Sequence, residues 1–344
     1  MSAAVIVQLN LSTASEGEQP SAQLADKYIH RCIKGRQDLD FIEDADEWTI
    51  LESFFMFSYY GNRNKSKQAW YYLREAMGFA LAMGLDRDES YDDPDLEVRA
   101  ARWGGFGSLI RPRAYCLQHR TTCQLRASIC LPKIYNGCDE PTLAGFITLA
   151  RLFARIDTDF VSWWSEQSPR GANDKLLNPE HFSAISHTSV VDETQRVDVA
   201  VTQCWLRTLV CQLRGRFTQT HGTDEVISLS AAARSLLLCF NATRLDSLES
   251  HGIGMEQKIS VIAGFLCDLV PNLEPDCLVG DINSIPNLLH EFMCLLSNFR
   301  NEESRYLGPL AGRAAALLIQ RAGVGVLGPH GDECEEVEDK TLTW

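Results

Sequence analysis

Along Gln68–Tyr91 the apolar residues fall at Ala69/Trp70, Leu73, Ala76/Met77 and Ala80/Leu81. That i, i+3, i+4, i+7 spacing marks one face of a helix. Gly84 stands where a left-handed C-terminal cap is wanted, with Leu85 placed to fold back on the last turn. Beyond it the acidic run Asp86–Asp95 reads as a loop, broken at Pro94. The same period recurs along the chain. Ser21 can cap a helix whose apolar face is Leu24, Tyr28/Ile29 and Cys32/Ile33. Asp44-(x)2-Glu47 has the spacing of a capping box ahead of Trp48–Tyr60. That segment is apolar nearly all round (Leu51, Phe54, Phe55, Phe57), which suits the centre of a bundle. Gly61-Asn62 stops it, and a helix beginning near Ser66 returns alongside. Thr142 opens a long helix through Leu143, Phe146/Ile147, Phe153, Ile156, Phe160 and Trp163/Trp164. Further helices are expected over 191–217, 228–248, 255–270, 285–299 and 309–321. No period-2 run of strand length and no internal repeat is present. The predicted fold class is all-α, an irregular multi-helix bundle.

The same reading divides the chain. Residues 1–20 are expected to be disordered, ending in the polar run Ser15–Pro20. Residues 21–164 form a first helical part. A polar connector over 165–190 carries Pro169, Gly171 and Pro179. A C-terminal helical part spans 191–322, and 323–344 is an acidic, Gly-rich tail, with 332–339 expected to be a solvated acidic stretch.

Within the first part, Ala69-Trp70-(x)2-Leu73-(x)2-Ala76-(x)3-Ala80-(x)3-Gly84-Leu85-(x)2-Asp88 resembles the core helix of the fungal-specific transcription factor domain. That domain is the middle homology region of fungal zinc-cluster regulators. The resemblance extends upstream through Ala25–Ile29 and Thr49–Tyr60, and downstream through Arg113–Cys116 and Leu125–Pro132. Tyr72–Ala76 and Arg113–Tyr115 look closest to regulators of sugar utilisation, while regulators of secondary-metabolite gene clusters share the region. The resemblance implies a nuclear regulatory module of transcription. It would work through other regulators or a DNA-binding partner, with a possible small-molecule effector. One stretch departs from the pattern. Where the family carries an aromatic-rich helix, this chain reads Arg102-Trp103-Gly104-Gly105-Phe106-Gly107-Ser108-Leu109-Ile110-Arg111-Pro112. Each Gly costs a helix roughly 1 kcal/mol and a Pro about 3. Residues 102–112 are therefore expected to be irregular and poorly packed, as a displaced reading frame would leave them.

Composition narrows the function. A chain of 344 residues with 45% hydrophobic and 23% charged residues can bury a sizeable core. No stretch reaches the roughly 18 apolar residues of a membrane span. The N-terminal Met-Ser-Ala-Ala-Val-Ile-Val has no basic region before its short apolar run, so no secretory signal is expected. The net charge of −14, from 46 acidic against 32 basic residues, opposes a grip on DNA phosphates. The longest basic stretch, Asn62–Lys67, reads as a solvated turn.

Twelve cysteines are present, none in a C-x2-C pair, so the six-cysteine zinc cluster of the resembled family has no counterpart among these residues. Sequence-specific DNA binding is not expected from this chain. Cys116, Cys123 and Cys130 recur every seven residues, about 10.5 Å along a helix, too far apart to share an ion at Zn–S bonds of about 2.3 Å. Cys204, Cys211, Cys239, Cys267 and Cys294 read as small core residues, and thiol reactivity is expected at Cys138 or Cys334. Gly323-x-Gly325-x-x-Gly328 matches a dinucleotide-binding pattern but lacks the strand before it and the acidic residue after it. Asp92-Asp93-(x)3-Glu97 resembles the Mg²⁺-binding motif of helical terpene cyclases, the alternative function; the second motif such an enzyme needs is missing. With neither G-x-S-x-G nor H-E-x-x-H present, no catalytic residue, metal ligand or cofactor is assigned, and the chain is not expected to be an enzyme.

Overall fold

The computed structural model describes residues 1–9, 21–119, 140–156, 160, 161, 164, 182, 192–218, 223–269, 285–299 and 304–321. Among these, regular structure is helical throughout: α1 Ser2–Gln8, α2 Ser21–Gln37, α3 Glu47–Asn62, α4 Ser66–Ala82, a 3-10 turn Asp88–Tyr91, α5 Leu96–His119 and α6 Glu140–Ala154. There follow α7 Glu193–Thr218, α8 Thr223–Asn241, α9 Leu245–Glu249, α10 Ile253–Leu269, α11 Ile285–Asn298 and α12 Leu307–Arg321. The all-α class is as the periodicity predicts. Sequential neighbours pack as hairpins: α3 on α4, α4 on α5, α7 on α8 and α11 on α12. Two long-range pairings, α6 with α7 and α7 with α10, tie the chain together.

Helix α4 ends as its sequence dictates. Gly84 takes φ +71°, Leu85 N donates to Ala80 O (2.9 Å) and Gly84 N to Leu81 O (3.0 Å). These two bonds make a Schellman cap, and Leu85 is fully buried beneath it. Tyr91 of the 3-10 turn closes the loop by donating from its hydroxyl to Leu85 O (2.6 Å).

Helix α3 has a capping box in a register two residues later than expected. Asp46 Oδ1 accepts from Thr49 N (2.9 Å), and Thr49 Oγ1 accepts from Asp46 N (3.2 Å). Glu47, the residue expected to close the box, instead accepts from Arg102 Nε of α5 (2.7 Å). The buried face of α3 is Thr49, Ile50, Ser53, Met56, Tyr59 and Tyr60, so the phenylalanines are left half-buried. Residues 2–8, expected to be disordered, form α1 and bury Ala3, Ala4 and Val7 against α2 and α3.

The largest departure is α5. Residues 102–112, expected to be irregular, lie inside one continuous helix with Trp103, Phe106, Leu109 and Ile110 buried. The glycines that should have broken it are where α3 comes closest. A Cβ on Gly105 would stand 3.2 Å from both Ile50 and Leu85 side chains, and one on Gly104 would be 3.0 Å from Leu51. The propensity cost is offset by the apolar contact that the missing side chains permit. Pro112 removes one N–H from the ladder. One step along, Arg113 Nη1 donates to Leu109 O (3.0 Å), while its Nε donates to Ile156 O (2.9 Å). Arg113 is thus buried with its guanidinium spent on backbone carbonyls.

Helix α6 closes at Ala154 rather than running on to Trp164, and the carbonyl released at Ile156 is the one Arg113 takes. Phe160 and Trp164 are still buried, and Trp164 Nε1 donates to Leu117 O (2.6 Å). The segment expected over 228–248 is divided, α8 ending at Asn241 and α9 beginning at Leu245. One large apolar core runs from Ile50 through α5–α8 and α10–α12 to Ala314; a smaller one joins α1, α2 and the outer face of α3. The Leu125–Pro132 motif, the 323–328 glycine pattern, the acidic tail, Cys123, Cys130, Cys138 and Cys334 lie outside the described residues.

Candidate functional site

The half-buried stripe of α3 (Phe54, Phe57, Ser58 and Gly61) opens on a cleft of ≈ 370 Å³. A volume near 300–1,000 Å³ is that of small-molecule sites. The floor is α5, whose Arg111, Ala114 and Tyr115 share one face by i, i+3, i+4 spacing. Tyr115 is held rigidly. Its ring stacks on Trp70 at 4.7 Å and 8°, and its hydroxyl donates to Ser66 O (2.9 Å). Burial pushes this phenol up to about 12, so it stays neutral. The opposite wall is His251 with the first turns of α10, including Gly254, Gln257 and Lys258. Gly252 turns the chain into α10 at φ +60°.

Behind that wall lies a buried ionic cluster. Lys258 Nζ donates to Asp198 Oδ1 (2.9 Å) and to Thr202 Oγ1 (2.7 Å), and Thr202 in turn donates to Asp198 Oδ1 (3.2 Å). His251 Nδ1 stands 3.9 Å from Asp198 Oδ2, and its Nε2 donates to Thr194 O (3.0 Å). Burial alone would raise the Asp198 carboxyl; Lys258, His251 and Arg111 outweigh it and hold the group well below the carboxylate range. Burial lowers His251 from its usual 6.5. Asp198 and Lys258 are thus a fixed ion pair and His251 a neutral ring at neutral pH.

The acidic triplet of the Mg²⁺ reading does not converge. Asp93 is taken by Arg102 (3.3 Å) and by the backbone N–H of Asp95 (2.9 Å), while Asp92 and Glu97 are exposed. Among the described residues no group of three His, Cys, Asp or Glu side chains could hold a metal ion. The 62–67 turn is no basic face: Arg63 pairs with Asp26 (3.5 Å) and Lys65 lies over the Tyr60 ring at 5.7 Å. Cys204, Cys211 and Cys267 are core residues as expected, and burial pushes the first two thiols up to about 12, which makes them poor nucleophiles. Cys294 corrects the expectation: it is exposed on α11, its sulfur 3.6 Å from His290 Nε2. No described helix is long and apolar enough to cross a membrane.

Motif reasoning missed the ionisable residues of the cleft and of the cluster behind it, because Arg111, Asp198, the His251–Lys258 stretch and Arg305 come from separate parts of the chain. One signal was available. Asp198 sits within Val197-Asp198-Val199-Ala200-Val201, and Lys258 lies one position before the buried Ile259, so each puts a charge where an apolar face is due.

An all-helical protein with a cleft between its helices and no assembled catalytic group among its described residues is the class that fold and site define. The chain is similar to the probable sucrose utilization protein SUC1 of Candida albicans, 26% identical over 265 residues, which cover 72% of this chain and 52% of that protein. It is also similar to the maltose fermentation regulatory protein MAL13 of Saccharomyces cerevisiae, 21% identical over 302 residues, covering 85% of this chain and 63% of that one. The chain thus spans about half to two thirds of the length of the curated relatives it matches. No protein-family profile matches it. No solved structure matches it either.

Proposed function

We propose that the protein is a transcriptional regulator of carbohydrate utilisation, acting in the nucleus through a DNA-binding partner or other regulators, with the α3–α5–α10 cleft as its effector site. The observation that carries this reading is the low-identity similarity, across most of the chain, to one protein named for sucrose utilisation and one for regulation of maltose fermentation. Two features support it. The net charge of −14 disfavours direct engagement of DNA phosphates, which leaves gene contact to a partner. The cleft joins residues of α1, α3, α4 and α5 on one side to residues of α10 and Arg305 on the other, so an occupant could bias how they pack.

The test is a reporter assay with the full chain fused to a heterologous DNA-binding domain. Reporter output should change when the carbon source is switched between glucose and a disaccharide. Output that never departs from that of the DNA-binding domain alone, on any carbon source, would sink the regulatory reading. The Mg²⁺-enzyme alternative has no observation in its favour.

A further inference from the structure

The polar complement of the cleft is one-sided. Arg111, His251, Lys258 and Arg305 line it, and none of the lining residues is Asp or Glu. In a chain with 46 acidic and 32 basic residues, a cavity free of carboxylates is a departure from the average surface. Lys258 is committed to Asp198, so its charge is neutralised inside the protein. Arg111 is different. It is half-buried at the cleft floor, acts on Asp198 only through space, and makes no hydrogen bond or ion pair among the described residues. A guanidinium has five N–H donors in a planar fork matched to a carboxylate or phosphate. Phe54, Phe57 and Gln257 line the same cavity, an apolar body with a few polar groups.

From this juxtaposition we infer that the cleft binds a small anionic metabolite. Its phosphate or carboxylate head is held by the Arg111 fork, and its ring or chain lies against Phe54 and Phe57. The inference rests on the effector part of the regulatory reading and adds the ligand's chemical class. The volume suits a molecule of monosaccharide-phosphate or small dicarboxylate size. Asp198 has a role in this arrangement. It neutralises Lys258, so that ammonium is not itself a second strong anion trap; the other guanidinium of the lining, Arg305, donates from Nη2 to the Tyr306 hydroxyl (2.9 Å).

The experiment is isothermal titration of the full-length protein with glucose 6-phosphate, succinate and neutral maltose, with thermal unfolding as the companion readout. At least one of the two anions should bind at millimolar concentration or below, and binding should weaken as sodium chloride is raised. Which of the two binds separates the phosphate from the carboxylate source. Arg111→Gln should weaken it about 10- to 100-fold, the range expected for losing a hydrogen-bonded charge. Gly254→Met supplies a variant that leaves Arg111 in place. A Cβ there meets open space, so the fold is kept while the longer side chain fills the cleft and abolishes binding. Binding of neither anion, or undiminished binding by either variant, would overturn the inference. Maltose binding without anion binding would refute the anionic class and leave the effector cleft in place. Anion binding that needs Arg111, together with a reporter that never responds, would uphold the site and sink the regulatory reading.

Discussion

On one side of the cleft, α3, α4 and α5 approach closely because glycines on α5 face side chains on α3, and what lines the cavity is aromatic. On the other side, α7 and α10 are held partly by a buried ion pair between Asp198 and Lys258, with His251 beside it. Apart from Arg111, the first wall is shape without charge. The second carries charge that has to be compensated inside the protein. A wall of the first kind is sensitive to added volume, whereas the second is sensitive to losing either partner. Arg111 is on the first wall yet feels the second, so the two kinds of packing meet at the residue that the proposed ligand would use.

That contrast can be broken most strongly at Lys258. Lys258→Met leaves Asp198 buried and charged without its partner, and removing one member of a buried pair costs about 3–5 kcal/mol. Urea unfolding should show this loss, and the double change Lys258→Met with Asp198→Leu should recover much of it, since neither member of the pair is then left buried without its partner.

On the aromatic wall the corresponding insult is volume. Gly105→Leu forces a side chain into space already occupied by Ile50 and Leu85, and overpacking of this kind costs about 1–3 kcal/mol. Gly78→Ala on the exposed face of α4, where a Cβ meets nothing, should instead stabilise by about 0.5–1 kcal/mol. If Gly105→Leu proved neutral, the close approach of α3 and α5 would not be what the glycines are for.

A local comparison comes next in size. Gly84→Ala must adopt φ +71° with its Cβ 3.3 Å from Ser90 Oγ, at a cost of about 1–2 kcal/mol. The same denaturation midpoint measures it.

The smallest effect is the acid response of the charged wall. His251 is held neutral by burial, so its folded value lies below the usual 6.5. The unfolded chain then binds the proton more readily than the folded one. Stability contributed by neutral His251 is therefore complete above pH 6.5 and is lost as pH falls through the window beneath it. The Asp198 carboxyl, held low, adds stability that disappears only in stronger acid, below the usual carboxylate value of 3.8. His251→Asn should flatten the melting temperature between neutrality and mild acid while leaving the strongly acid limb intact.

The helices of this protein were legible because their signals are short. The α4 stripe, its Gly84 cap and the fold-back of Leu85 are all contained within a few residues, and the structure reproduces each of them. Local rules erred by small shifts where two residues offered the same chemistry. The α3 cap fell to Asp46 with Thr49 because Glu47 had a longer-range partner in Arg102. They erred badly at 102–112, where propensity counted three glycines and a proline as a broken helix. The contact that outweighs that cost comes from α3 and Leu85, which no window on α5 includes. The site was less legible still, since its ionisable residues are drawn from α5, α7, the turn into α10, α10 itself and Arg305, and carry no common motif.

By itself, then, the sequence determined the all-helical class, the place of most helices, the acidic balance that argues against a direct hold on DNA, and the absence of paired cysteines. Those properties are sums over residues or patterns a few residues long. Only the tertiary structure decided that the glycine-rich stretch is a packed helix, that Arg113 fills the carbonyl opened at Ile156, and that Asp198 and Lys258 neutralise one another across a separation of 60 residues. Close approach and charge compensation depend on which distant groups are brought together, and burial raises the strength of both by removing the water that would otherwise screen or replace them.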